Sequence, residues 1–228
     1  MVWLWENREL VLGLTLDHAR LSIIPILVSL IAAIPLGWLA TLHPAARSVI
    51  LFIAGAAFTI PSLALFVVLP AIIGTKILDE ANAVVALSIY GIAVMARGAA
   101  DAFASVPRDV VDSSTAIGFS RLGRFFTVDL PLAGPVILAS LRVVAVSTIS
   151  LLTVGSIIGV QSLGYLFLNG YQRTFPTEVV IGMVAVVLLA VLFDRLLVLI
   201  GRMLLPWTRV QSRAERRRLS RVPAEVTQ

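Results

Sequence analysis

Apolar residues run along this chain in long blocks separated by short polar breaks. They show neither the stripe of a half-exposed helix nor the alternation of a half-buried strand. Five blocks approach or exceed the about 20 residues with which an α-helix crosses a bilayer. They are Leu21–Leu42, Ser48–Gly74, Ala81–Ala96, Pro131–Val160 and Glu178–Gly201. The pattern predicts an all-α polytopic membrane protein with five spans. Ahead of them, Glu6–Asp17 is too polar and too short to span, and is predicted to lie as a helix on the outer surface within a separate segment, residues 1–20. The first block starts too late and runs too long for a cleaved leader, and no small-residue cleavage site follows a short apolar core.

Composition closes off a soluble fold. Hydrophobic residues make up 59%, charged residues 14%, and the mean hydropathy is +0.99, whereas about a quarter of a soluble domain is charged. With no cysteine there is neither a disulfide framework nor a thiolate metal site. The two histidines, His18 and His43, stand at different span ends, which leaves no zinc pattern. Lys76, the one lysine, is followed by Ile77, so the chain holds no phosphate-binding loop. No Ser, His and Asp share a membrane depth, so no catalytic set is predicted. There is no internal repeat, and buried carboxylates are too few for an ion-driven carrier.

Charge sets an orientation. Placing the polar Asp112 loop in the cytoplasm puts twelve of the 18 basic residues inside: Arg47, Arg97, Arg108, Arg121, Arg124 and those from Arg202 to Arg221. Arg8, Arg20, Lys76 and Arg173 are then outside, and the reverse arrangement violates the positive-inside rule. Five spans accordingly predict an external N-terminus and a cytoplasmic C-terminus. Trp38 and Trp207 mark the inner interface, and Trp3 and Trp5 the outer one. Residues 208–228 read as a basic, disordered cytoplasmic tail whose arginines set the orientation or meet anionic headgroups, not nucleic acid.

Within the spans, three features ask for a reason. Pro25, Pro35, Pro61 and Pro70 free backbone carbonyls, which membrane helices tolerate where protein or a water-filled path satisfies them. Thr59, Pro61 and Ser62, midway along the second block, are therefore candidates to line a translocation route, with a packed kink as the alternative. Arg142 and Asp194 fall in the inner halves of the fourth and fifth blocks, where an ion pair between them cancels two costly charges. The role predicted for that pair is structural or gating. Small residues in the fourth block, among them Ala145 and Gly155, suit close helix packing.

The remaining feature is the polar run Asp112–Pro131 between two apolar blocks. Small side chains at Ser113 and Ser114 let a short helix sit close to a groove. Gly118 is suited to end that helix, and Leu130-Pro131 to start the next one. The spacing resembles the E-A-A-x3-G-x9-I-x-L-P loop by which ABC importer permeases grip their ATPase. Here Asp replaces Glu, serines replace both alanines and Val replaces Ile. The resemblance makes Asp112, Ser113, Ser114, Gly118, Phe119, Arg121, Leu130 and Pro131 the ATPase-coupling residues, within a coupling loop spanning 105–131.

From about Leu21 to Trp207 the chain resembles the membrane subunit of the osmoprotectant branch of binding-protein-dependent ABC importers. Thr59-Ile60-Pro61-Ser62-Leu63-Ala64-Leu65 resembles that branch's T-I-P-S-L-A-L run. Arg97, Ser105-Val106-Pro107 and the Leu130–Ile137 entry with Leu141-Arg142 resemble further stretches. Gly159–Gly164 carries fewer glycines than its counterpart. The resemblance implies a five-span type I importer permease, with residues 21–207 as the transmembrane permease domain, in a bacterial cell membrane. It implies half of a pore for solutes such as glycine betaine, choline or carnitine, methionine being the alternative. It also implies three partners: a cytoplasmic ATP-binding dimer, a second permease subunit of the same or related sequence, and an extracytoplasmic substrate-binding protein. The chain itself then needs no cofactor, since ATP and Mg bind the ATPase, and it is not an enzyme. With 7% aromatic residues and few at mid-span, tight substrate selection falls to the binding protein. A non-transporting membrane scaffold is the competing class, and it has no use for the 112–131 loop.

Overall fold

Residues 2–207 are described by a computed structural model; the 208–228 tail lies outside the described residues. The described chain is a bundle of α-helices. A short α1 (Val2–Glu6) leads into α2 (Arg8–Leu42), followed by α3 (Pro44–Thr59), α4 (Ser62–Ile73) and α5 (Glu80–Ala104). Then come α6 (Arg108–Ala116), α7 (Arg121–Arg124), α8 (Leu130–Leu152), α9 (Gly164–Gln172) and α10 (Pro176–Leu204). Among the described residues, four helical stretches are long and apolar enough to cross a membrane, or five if α3 and α4 count as one bent span.

The centre of the bundle is α5, which packs most extensively on α2 and next on α8. Its sequence explains this. Ala83, Ala86, Ala93, Ala96, Ala99 and Ala100 are buried along it, and such small side chains let backbones approach closely, the main source of attraction between helices in lipid. The backbones come close at Gly37 of α2, where an added Cβ would lie 2.6 Å from the Ala99 carbonyl carbon and 2.8 Å from the Ala100 nitrogen. By contrast α10 buries little of itself.

Three sequence expectations are corrected. First, residues 1–20 are not a unit: α2 begins at Arg8 and runs unbroken for 35 residues. At 1.5 Å per residue that is about 52 Å, well beyond the about 30 Å hydrocarbon core. Glu6–Asp17 is therefore mostly an extension of the first long helix, not a separate surface helix. Nothing breaks it, because Gly13 is helical and the first proline is Pro25. Second, Ser48–Gly74 is not one straight span but two helices bent by 100° at Ile60-Pro61. Third, the helix after the polar loop starts at Arg121, not at Leu130-Pro131. It continues through a π-helical turn (Phe125–Asp129) into α8 and ends in a 3₁₀ turn, Thr153–Ile158. Arg97, counted on the cytoplasmic side just past the third block, lies inside α5.

Candidate functional site: a braced loop, a broken helix and an ion pair

The polar loop folds as a helix–turn–helix clasp. Helix α6 ends in a two-bond cap: Gly118 donates its N–H to the Thr115 carbonyl at 3.0 Å, and Phe119 to the Ser114 carbonyl at 3.2 Å. That closure requires a left-handed residue at the stop, and Gly118 has φ +99°. Two residues on, the Ser120 hydroxyl accepts the Gly123 N–H at 3.1 Å and caps α7. Arg121 therefore opens the second helix and does not close the first. Arg124 braces the two arms, with its Nε 3.2 Å from Asp129 Oδ2 and its Nη1 donating to Thr115 Oγ1 at 3.1 Å. The π turn keeps the rod continuous, Leu130 N–H reaching back to the Phe125 carbonyl. Phe125 is held by Trp38 and Phe103, at ring separations of 5.0 and 5.8 Å.

Apolar side chains stand out from this polar clasp. Ile117 is 78% exposed, and Phe119, Leu122 and Phe126 are also exposed. Beside them a groove of about 340 Å³ is lined by Asp109, Val110, Ser113, Ser114, Ile117, Phe119 and Val128. Of the residues singled out in the sequence, Ser113, Ser114 and Phe119 share this groove. Asp112 and Gly118 lie on α6 and its turn, Arg121 lies at the start of α7, and Leu130 and Pro131 lie inside the continuing rod.

At the break in the second apolar block the reason is Pro61. Having no N–H, it leaves the Ala57 carbonyl to Ile60 N–H at 3.4 Å. Ile60, preceding proline, is extended with ψ 127°. Thr59 Oγ1 donates to the Ala56 carbonyl at 2.7 Å, and the Ile60 carbonyl accepts from the Tyr90 hydroxyl of α5. Thr59 and Pro61 are exposed and Ser62 is half-buried.

Arg142 of α8 and Asp194 of α10 meet in a two-pronged ion pair, Nε to Oδ1 at 2.6 Å and Nη2 to Oδ2 at 3.0 Å. The parallel geometry suits guanidinium and carboxylate. Two further buried polar groups gave no sequence signal beyond being polar in an apolar helix. His18 is fully buried; its Nε2 bonds the Ile149 carbonyl at 2.9 Å and its Nδ1 accepts the Leu163 N–H at 3.2 Å. It thus staples α2 to α8 and to the turn before α9. Glu178, also fully buried, takes a hydrogen bond from Asn169 Nδ2 at 2.6 Å and lies 3.9 Å from Arg173 Nη1.

Long apolar helices around a small-residue core, one of them broken and one interrupted by a braced polar clasp, define a membrane component of a transport system. Residues 21–210 match the family described as binding-protein-dependent transport system inner membrane component, and the chain belongs to that family. It is 31% identical to the choline transport system permease protein OpuBB of Bacillus subtilis, over 90% of this chain and 93% of that one. It is 30% identical to the osmoprotectant import permease protein OsmW of Salmonella typhimurium, over 86% of this chain and 92% of that one. A chain in the inward-facing MetNI methionine ABC transporter shares the fold with a TM-score of 0.74 at 19% identity, over 87% of this chain and 98% of that one. Membership in this family sets aside the scaffold alternative.

Proposed function

We propose that this chain, a permease of an ABC importer, carries compatible solutes bearing a quaternary ammonium group, such as glycine betaine, choline or carnitine. The observation that carries the reading is the similarity, at about 30% identity along nearly the whole chain, to permeases named for choline and osmoprotectant transport. Two copies, or this chain and a relative, form the pore. The clasp of α6 and α7 faces the cytoplasm and docks a separate ATPase through its exposed Ile117, Phe119 and Leu122. Arg47, Arg108, Arg121 and Arg124 at that end of the bundle favour this orientation, with the N-terminus outside and the C-terminus inside.

ATP-driven closure of the ATPase dimer draws the two clasps together. Because Arg124 ties α6 to the rod that becomes α8, that movement is passed to the membrane helices. Arg142 and Asp194 carry it on to α10. A separate binding protein delivers the solute from outside. Proteoliposomes holding this chain with its ATPase and binding protein test the reading through uptake of labelled glycine betaine, choline, carnitine and methionine. Uptake of methionine with none of the other three overturns it.

A further inference from the structure

Arg97, within the long apolar helix α5, is a cation with no partner among the described residues. It is exposed, and among the described residues it makes neither an ion pair nor a hydrogen bond. Asp101, one turn further along α5, is engaged by Arg47 at 2.7 Å. Nor does Arg97 reach back toward the near headgroups: its Nη2 lies 3.9 Å from where a Cβ on Gly55 would stand. Gly55 is eleven residues into α3, roughly 16 Å from the start of that helix. The guanidinium is therefore turned toward mid-membrane, as the lean of helical side chains toward their own N-terminus dictates. An unpaired cation held at that depth asks for a ligand.

The surroundings specify which. Gly55, Phe58 and Thr59 share one face of α3, and Tyr90, Val94 and Arg97 share one face of α5, by the three- and four-residue spacing of a helix. Phe58 is 55% exposed, and Tyr90 holds it in a T-shaped contact at 6.1 Å. Phe58 sits three residues beyond Gly55, about 4.5 Å along the axis. Ser147 and Thr148 of α8 border the Phe58 and Tyr90 side of this place. An aromatic ring attracts a quaternary ammonium group, and a free guanidinium pairs with a carboxylate.

We infer that Phe58 and Arg97 form a low-affinity transit subsite for a zwitterion, the ring meeting the ammonium end and the guanidinium the carboxylate. Arg97 is then the specificity-determining residue that favours carboxylate-bearing solutes over choline, whose charge it repels. The inference rests on the proposed solute class and deepens it.

The test uses the complex of this chain with its ATPase in nanodiscs, without binding protein, and saturation binding of labelled glycine betaine and choline. Wild type binds glycine betaine saturably. Arg97→Gln weakens that binding at least about tenfold, the worth of a charge-assisted hydrogen bond, and leaves choline unchanged or tighter. Arg97→Lys keeps most glycine betaine binding. In wild type, glycine betaine slows modification of Arg97 by phenylglyoxal, located by mass spectrometry, and choline does not. No saturable binding of glycine betaine, equal loss of both ligands in Arg97→Gln, or no protection of Arg97 overturns the subsite. If binding-protein-driven uptake of glycine betaine persists alongside any of these, the proposed function stands without it. If no quaternary ammonium solute is taken up at all, both fall.

Discussion

Arg142 and Asp194 stand 52 residues apart in sequence and join α8 to α10 through two nearly parallel hydrogen bonds of 2.6 and 3.0 Å. Little of α10 is buried, and this pair ties it to α8 as the buried Glu178, bonded by Asn169, ties it to α9. At membrane depth a charge without a partner is costly. Arg142→Gln and Asp194→Asn are each expected to lower the melting temperature of the detergent-solubilised complex, and the double reversal Arg142→Asp with Asp194→Arg to recover part of the loss. If the double reversal is as damaged as the sum of the singles, the pair is not the relevant interaction.

Gly118 has open space where a Cβ would go, so any penalty there comes from its φ of +99° and not from crowding. A side chain in the left-handed region costs about 1–2 kcal/mol, too little to unfold the bundle. Gly118→Trp is therefore expected to insert in the membrane normally while placing bulk on the face proposed to meet the ATPase. The measurement is substrate-stimulated ATP hydrolysis in proteoliposomes. Normal hydrolysis by that variant removes the clasp from the docking surface.

His18 spends both ring nitrogens on backbone groups of other elements. In His18→Leu each stranded group costs about 1–3 kcal/mol. His18→Gln, whose amide offers one donor and one acceptor, should recover more of the loss than leucine of similar bulk. Thermal melts of the two variants side by side check this, and equal melting temperatures would mean that only volume matters at the site.

Two helical glycines of α2 should respond oppositely to alanine. Gly13 has nothing within 4 Å of an added Cβ, so Gly13→Ala gains about 0.5–1 kcal/mol from helix propensity. At Gly37 the obstacle is the backbone of Ala99 and Ala100 at 2.6 and 2.8 Å, which cannot rotate aside. Overpacking of that kind costs about 1–3 kcal/mol, so Gly37→Ala should lower the melting temperature. A Gly37→Ala complex as stable as wild type would show that α2 and α5 separate freely.

Much of the fold was legible because the bilayer imposes a one-dimensional rule. A span must be long and apolar, so four of the five blocks fall on helices long and apolar enough to cross a membrane, while the second falls on the bent pair α3 and α4. Local chemistry was legible too. Gly118 was read as a helix stop from residue type alone, and it takes a positive φ at that stop. The charges of Arg142 and Asp194 suggested each other because an apolar medium leaves an isolated charge few other resolutions. What failed were boundaries set by continuity. Proline at 131 reads as a helix start, yet the π turn before it lets the rod pass through, and Pro61, with the same missing N–H, ends a helix outright.

The amino-acid sequence by itself determined an all-helical membrane subunit with a polar clasp of fixed position, because span length, residue charge and glycine conformation are properties of single segments. Beyond the Arg142–Asp194 pair, only the tertiary structure decided which polar residues have partners. His18 and Arg97 are alike in sequence, each a basic residue within or beside an apolar run. In the folded chain His18 is met from both sides by the backbone of α8 and of the turn before α9. Arg97 is left beside a glycine, and Asp101, one turn on, is engaged by Arg47. Pairing depends on how helices far apart in the chain are packed against one another, and no local pattern encodes that distance.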